Sequence, residues 1–138
     1  MTIRKFSILL IEDDQIDAMT VTRALKDLES PHTLIHKTNG LEAVNYLKEQ
    51  PVKIPGLILL DLNMPRMNGI EFLQWIKADK NLKLIPVVVL TTSNDQLDKL
   101  ESFKMGVAGY MLKPVGYNEF VGVMKEINNY WTKSELPR

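Results

Sequence analysis

The 138-residue chain has no cysteine, which excludes disulfides and thiolate metal sites and suits a cytoplasmic setting. It has no excess charge of either sign, since 17 Lys and Arg balance 17 Asp and Glu. The overall balance therefore gives no reason to expect a nucleic-acid or anionic-membrane partner. No apolar run approaches the roughly 20 residues of a membrane span. The amino terminus carries a basic pair, Arg4-Lys5, but the run after it, Ile8 to Ile11, is too short for a signal-peptide core and ends in three acids. No repeat, linker or low-complexity segment divides the sequence. These absences leave one intracellular domain over 1–138, with a core of about 6–131 and a flexible polar tail at 132–138.

The chain does hold one organising stretch, Leu57-Ile58-Leu59-Leu60-Asp61-Leu62-Asn63-Met64-Pro65-Arg66-Met67-Asn68-Gly69. The continuous apolar start suits a strand buried on both faces of a parallel sheet. It stops at Asp61, and Pro65 with Asn68-Gly69 signals a loop and turn. A strand that ends on Asp61 delivers the carboxylate where open α/β sheets carry their chemistry.

Four further strands read in the same way. Phe6–Ile11 is a buried strand ending at Glu12-Asp13-Asp14, and His32–Thr38 is more polar, as at a sheet edge. Pro86–Leu90 is strongly β-branched, and Gly109–Lys113 is short. Helices fall between them. The first carries Ile16, Met19, Val21, Leu25 and Leu28 and breaks at Ser30-Pro31; the second carries Leu41, Val44 and Leu47. The third starts after Gly69, turns Phe72, Leu73 and Ile76 inward and ends near Asp79. The fourth is capped from the cluster Thr91 to Asn94, carries Leu97, Leu100 and Phe103, and is closed by Gly106. The last runs from Tyr117 to about Trp131. Five strand–helix units in alternation predict an α/β fold, a doubly wound parallel five-stranded sheet of flavodoxin-like (βα)5 type, order 2-1-3-4-5, with helices on both faces.

The strand ends give the chemistry. The first supplies Glu12 and Asp13, the third Asp61, the fourth Thr91 and the fifth Lys113. A like-charged carboxylate pair at 4 Å costs about 4 kcal/mol at an effective dielectric near 20, and a divalent cation removes that cost. All-oxygen donors without nearby histidine or cysteine select a hard ion, and Mg²⁺ needs only one or two carboxylates plus water and phosphate. An aspartate is also a competent nucleophile towards phosphoryl groups. Mg²⁺, the Lys113 ammonium and the Thr91 hydroxyl would neutralise and position the transferred oxygens.

Four motifs occur in order: Ile-Glu-Asp-Asp at 11–14, Asp-Leu-Asn-Met-Pro-Arg-Met-Asn-Gly at 61–69, Val-Leu-Thr-Thr at 89–92 and Gly-Tyr-Met-Leu-Lys-Pro at 109–114. With them the chain resembles the receiver domain of bacterial two-component response regulators, the CheY-like fold, from about Phe6 to Tyr130. The resemblance implies that Asp61 accepts phosphate from a sensor histidine kinase or phosphotransfer protein. It implies Mg²⁺ held by Asp13, Asp61 and the backbone carbonyl of Asn63, with Glu12 acting through water. Thr91 and Tyr110 resemble the switch pair, and Lys113 the phosphate-binding lysine. The final helix with Tyr130-Trp131, and Asn81-Leu82 before the fourth strand, resemble the stand-alone regulators that serve bacterial phytochromes.

Plainer roles stand beside these. Asp14 reads as a helix cap, Thr91 could serve a local turn, Tyr110 could be an edge-strand aromatic, and His32 and His36 read as solvated. Thr92 stands where the family often has alanine, and Val115-Gly116 replaces its usual bulky aromatic. The expected output is protein–protein contact with a downstream target through the fourth helix, fifth strand and fifth helix, a face also suited to a homodimer. No helix-turn-helix follows the last helix, so direct nucleic-acid contact is not expected. The rival functions are an aspartate-nucleophile phosphatase or phosphotransferase, a receiver-like module that binds partners without phosphorylation, and a flavodoxin-like cofactor binder. The uncharged Asn63 disfavours the first, the intact acid–Thr–Lys set the second, and the acids after strand one the third. Turnover of a separate substrate is not expected.

Overall fold

The computed structural model describes residues 5–49 and 53–137; Arg4 of the basic pair and Arg138 of the tail lie outside the described residues. Five parallel strands form one sheet in the order β2-β1-β3-β4-β5, the order the sequence predicts. They are β1 (Ser7–Ile11), β2 (Thr33–Lys37), β3 (Leu57–Leu60), β4 (Val87–Thr91) and β5 (Gly109–Leu112). The helices between and after them are α1 (Gln15–Asp27), α2 (Gly40–Lys48), α3 (Gly69–Ala78), α4 (Gln96–Lys104) and α5 (Tyr117–Lys133).

The unbroken apolar runs follow from burial on both faces. Leu9, Ile11, Ile58, Leu60, Val87 and Val89 join the core under α2 and α3. Their alternating neighbours Ile8, Leu10, Leu57, Leu59, Val88 and Leu90 join the core under α1 and α5. Successive side chains point to opposite faces, so strands buried twice need no polar alternation. β2 at the sheet edge is only half-buried, which explains its more polar sequence.

Two helical faces differ from the expectation. In α1, Ile16 and Met19 are 74% and 68% exposed, and the buried stripe is Ala18, Val21, Ala24 and Leu25. At 3.6 residues per turn, position 16 lies almost opposite position 18, so the small alanines define the inner face. In α4, Leu97, Leu100 and Phe103 form a true stripe but turn outward, at 63%, 52% and 54% exposure, while Ser102 is the residue buried against the sheet. The cap of α4 is Asp95, which accepts from the Leu97 and Asp98 N–H groups, rather than the Thr91–Asn94 cluster. Gly106 closes this helix with φ of +81°, a conformation glycine adopts without strain.

Neither histidine is solvated as expected. His32 stacks on Phe6 at 3.7 Å between ring centroids, accepts the Phe6 N–H at Nδ1 (3.2 Å) and reaches Thr132 Oγ1 through Nε2 (2.8 Å). Burial pushes its pKa down, and the neutral ring carries its proton on Nε2. Thr132 and Lys133 therefore continue α5 past Trp131, and Leu136 packs against the core below α1 and α5.

The loop after β3 is held tightly. Arg66 and Met67 both have positive φ, and the carbonyls of these two residues accept the Leu41 and Gly40 N–H groups from the start of α2. Gly69 begins α3 where a Cβ would stand 2.7 Å from the Asp61 carbonyl oxygen and from Leu62 Cα. Gly69→Ala is therefore expected to destabilise the protein by about 1–3 kcal/mol, read as a lower urea midpoint, because backbone atoms cannot yield as a flexible side chain can.

Candidate functional site

β1, β3, β4 and β5 each stop where an apolar run meets a polar group, so the carboxyl edge of the sheet collects them. Glu12 follows β1, Asp61 follows β3, Thr91 ends β4 and Lys113 follows β5. Asp61 lies 6% exposed at the centre. Thr91 Oγ1 donates to Asp61 Oδ1 at 2.7 Å, and the Asn63 N–H approaches the same oxygen at 3.3 Å. Lys113 Nζ stands 3.4 Å from Asp61 Oδ2, 2.5 Å from Glu12 Oε1 and 2.7 Å from Asp17 Oδ2. Asp14 caps α1 by accepting from the Ile16 and Asp17 N–H groups, the plainer role read for it.

Glu12, Asp13 and Asp61 offer carboxylate oxygens that all lie within 4.8 Å of one another, with Asp13 exposed at the rim and the other two buried. Burial pushes the Glu12 carboxyl up to about 8, with the Asp61 charge adding to the rise against the pull of Lys113. Burial opposes charge on Lys113 too, but hydrogen bonds to Asp17 and Glu12 outweigh it and hold the ammonium protonated far above neutral pH. Even with Glu12 protonated, Asp13, Asp17 and Asp61 outnumber the one ammonium, so the site is short of positive charge. That deficit and the all-oxygen donor set fit a hard divalent cation at the Asp13 side.

The hydrogen bonds link Tyr110 to Thr91 through Ser93. The Ser93 N–H donates to Thr91 Oγ1 (3.2 Å), and Tyr110 donates its hydroxyl to the Ser93 carbonyl (2.9 Å). The Tyr110 ring lies 6.3 Å from that of Phe103 on α4. Polar groups and packed rings thus run without a break from Asp61 to the outer face of α4. Beside Lys113 opens a cavity of about 340 Å³ lined by Ile16, Asp17, Thr20, Thr92, Lys113 and Val115 among others.

Two contacts were not legible from the motifs. Asp17 binds Lys113 from the first turn of α1, where an acid reads simply as favouring a helix N-terminus. His36 donates from Nε2 to the Glu12 carbonyl at 2.7 Å, tying β2 to the acidic corner, and nothing in its polar strand context signalled this.

Residues 8–125 match the family described as the response regulator receiver domain. The response regulator Rcp1 of Synechocystis sp. is 37% identical over 131 residues, spanning 92% of this chain and 89% of that protein. The polar-differentiation response regulator DivK of Brucella anthropi is 31% identical over 119 residues, spanning 86% of this chain and 93% of that protein. Among solved structures, the phosphorylated cyanobacterial phytochrome response regulator RcpA superposes with a TM-score of 0.91 at 35% identity, covering 98% of this chain and 100% of that one. The Mn²⁺-bound form of Rcp1 gives 0.88 at 37% identity, covering 96% and 99%. The fold, the convergence of acids, threonine and lysine at one sheet edge, and these relatives together show that the chain belongs to the response regulator receiver domains of two-component signalling.

Proposed function

We propose that Asp61 is the phosphoacceptor and that a sensor histidine kinase or phosphotransfer protein supplies the phosphoryl group in a Mg²⁺-dependent reaction. The observation that carries this reading is the convergence of Thr91 and Lys113 on the two oxygens of a single buried carboxylate, beside an acidic trio. An Asp61 oxygen attacks phosphorus, the bond from phosphorus to the donor imidazole nitrogen breaks, and an acyl phosphate forms. Asp13, Asp61 and the Asn63 carbonyl would hold Mg²⁺, with Glu12 through water; the ion, when bound, neutralises charge on the transferred oxygens. Thr91 and Lys113 provide the remaining two contacts to those oxygens. Rcp1 has been seen with Mn²⁺ and RcpA in phosphorylated form, both of which support the reading by likeness.

Thr91 and Tyr110 form the switch. When Thr91 turns from Asp61 Oδ1 to the phosphoryl group, it disturbs the Ser93 N–H bond and, through Ser93, the Tyr110 hydroxyl. The surface this biases is α4–β5–α5, where Leu97, Leu100, Phe103, Leu112 and Tyr130 are exposed. Such a surface suits a downstream protein target or a second copy of the chain. Asn63 supplies no acid or base two residues beyond Asp61, which supports a switch over a turnover enzyme.

The test is incubation with acetyl phosphate, with and without Mg²⁺: one phosphoryl group should add in its presence and none in EDTA, and no addition would remove the reading. Thr92 follows Thr91 and lines the cavity beside Lys113, and a side chain bulkier than alanine at this position would hinder a water attacking the phosphoryl group. Thr92→Ala is therefore expected to lose its phosphoryl group severalfold faster, measured as decay of the phosphorylated mass after the donor is removed.

A further inference from the structure

Lys113 is the site's one buried cation among the described residues, and its two short contacts are to Glu12 and Asp17 rather than to Asp61. Its ammonium has three protons and three carboxylate neighbours. Asp17 Oδ2 at 2.7 Å lies in the range of a charge-assisted hydrogen bond; Asp61 Oδ2 at 3.4 Å lies outside it. The lysine side chain is only 6% exposed, so water cannot readily take the place of a lost partner. The Asp17 side chain is 35% exposed and lines the cavity beside Lys113, whereas Asp61 is buried and is not among the residues lining that cavity.

We propose that Asp17 is a positioning residue for the reaction at Asp61, holding Lys113 on the α1 side so that an incoming phosphoryl group must draw the ammonium away from it. The inference rests on Asp61 being the phosphoacceptor. The short contacts of the ammonium go to Glu12 and Asp17 while Asp61 Oδ2 stands off at 3.4 Å, so a short bond to a phosphoryl oxygen on Asp61 is gained by drawing Nζ away from Asp17. The carboxylate is a strong competitor because it is charged and already in place. A neutral amide of the same shape accepts a weaker bond and would leave Lys113 free to turn towards Asp61. The α1 helix keeps its true cap, Asp14, whatever stands at position 17.

The test is the initial rate of phosphoryl uptake from acetyl phosphate at saturating Mg²⁺, followed by intact mass. It compares the wild type, Asp17→Asn, Lys113→Gln and the double variant, each checked for cooperative thermal unfolding, with Asp17→Ser as a second replacement should Asp17→Asn not fold. Asp17→Asn is expected to react roughly 3- to 10-fold faster than wild type, the scale of one competing hydrogen bond. In the Lys113→Gln background the same substitution should change the rate by no more than about 2-fold, since interaction through Lys113 is then absent. A gain in rate is not what structural damage produces. An equal acceleration in both backgrounds would overturn the inference by showing that Asp17 acts through its charge on the site at large. A rate unchanged or lowered by Asp17→Asn beside an intact Lys113 would overturn it directly. Failure of the wild type to take up phosphate would remove the reading of Asp61, and the inference with it; normal wild-type uptake with either of the preceding results defeats the inference alone.

Discussion

Asp61→Asn should abolish phosphoryl uptake while leaving the metal-free protein at least as stable as the wild type. On the proposed reading Asp61 supplies the nucleophilic oxygen of an acyl phosphate, and the amide lacks it. Its carbonyl oxygen can still accept from Thr91, which reaches Asp61 Oδ1 at 2.7 Å, so the local packing survives. The removed charge is one of three whose oxygens crowd within 4.8 Å, and its neighbour Glu12 already has a carboxyl pushed up to about 8 by burial. With Glu12 largely protonated at neutral pH, the repulsion that remains is between Asp61 and the exposed Asp13, at most about 4 kcal/mol for a pair at 4 Å and an effective dielectric near 20, and the removed Asp61 contact to Lys113 is a long 3.4 Å. Relief of repulsion therefore outweighs or balances the loss. The metal response goes the other way. A ligand at 100 times its Kd stabilises the native state by about 2.7 kcal/mol, and Asp61→Asn should lose most of that gain with Mg²⁺. Thermal unfolding with and without Mg²⁺ reads both effects, and a variant that melts well below the wild type in EDTA would contradict the electrostatic description.

Lys113→Ala should have the largest stability effect in the site. The ammonium is 6% exposed and lies within salt-bridge distance of Glu12, Asp17 and Asp61, so its removal leaves buried carboxylates facing one another. Deleting one partner of a buried pair costs about 3–5 kcal/mol. Protonation of Glu12, already favoured, limits the loss near neutral pH, and Mg²⁺ should restore part of it by supplying positive charge from the Asp13 side. Phosphoryl uptake should fall by about 10²-fold, the scale seen when one preorganised donor to a developing charge is removed. Urea denaturation with and without Mg²⁺ checks the first effect and intact mass the second. A Lys113→Ala protein as stable as the wild type in EDTA would show that the ammonium does not offset the acids.

The strands, and the side chains gathered at their carboxyl ends, were legible for one physical reason. A strand buried on both faces must be apolar throughout, as Leu57 to Leu60 is, so the first charged residue after the run marks the carboxyl end of the sheet. Reading those ends in turn gave Glu12, Asp13, Asp61, Thr91 and Lys113 without any knowledge of distance. The helices were less legible because their faces are set by which residue is small enough to approach the sheet. Ala18 and Ala24 form the inner face of α1, and Ser102 that of α4, whereas Ile16 and Leu97 suggested the wrong sides. Long-range polar pairings were illegible for a different reason. Asp17 meets Lys113 across 96 positions, and His32 meets Thr132 across 100, and no local pattern encodes such contacts. The outward stripe of α4 and the bond from the Tyr110 hydroxyl to the Ser93 carbonyl link the carboxyl edge of the sheet to a surface, and neither leaves a local signature.

The measurement that tests the central claim most directly locates the phosphoryl group. The wild-type protein is phosphorylated with acetyl phosphate and Mg²⁺, reduced with borohydride, which converts an aspartyl phosphate to homoserine, and mapped by peptide mass spectrometry. Homoserine at position 61 and at no other acid is the predicted result; an unmodified Asp61, or homoserine at Asp13, Asp17 or another carboxylate in its place, would contradict it.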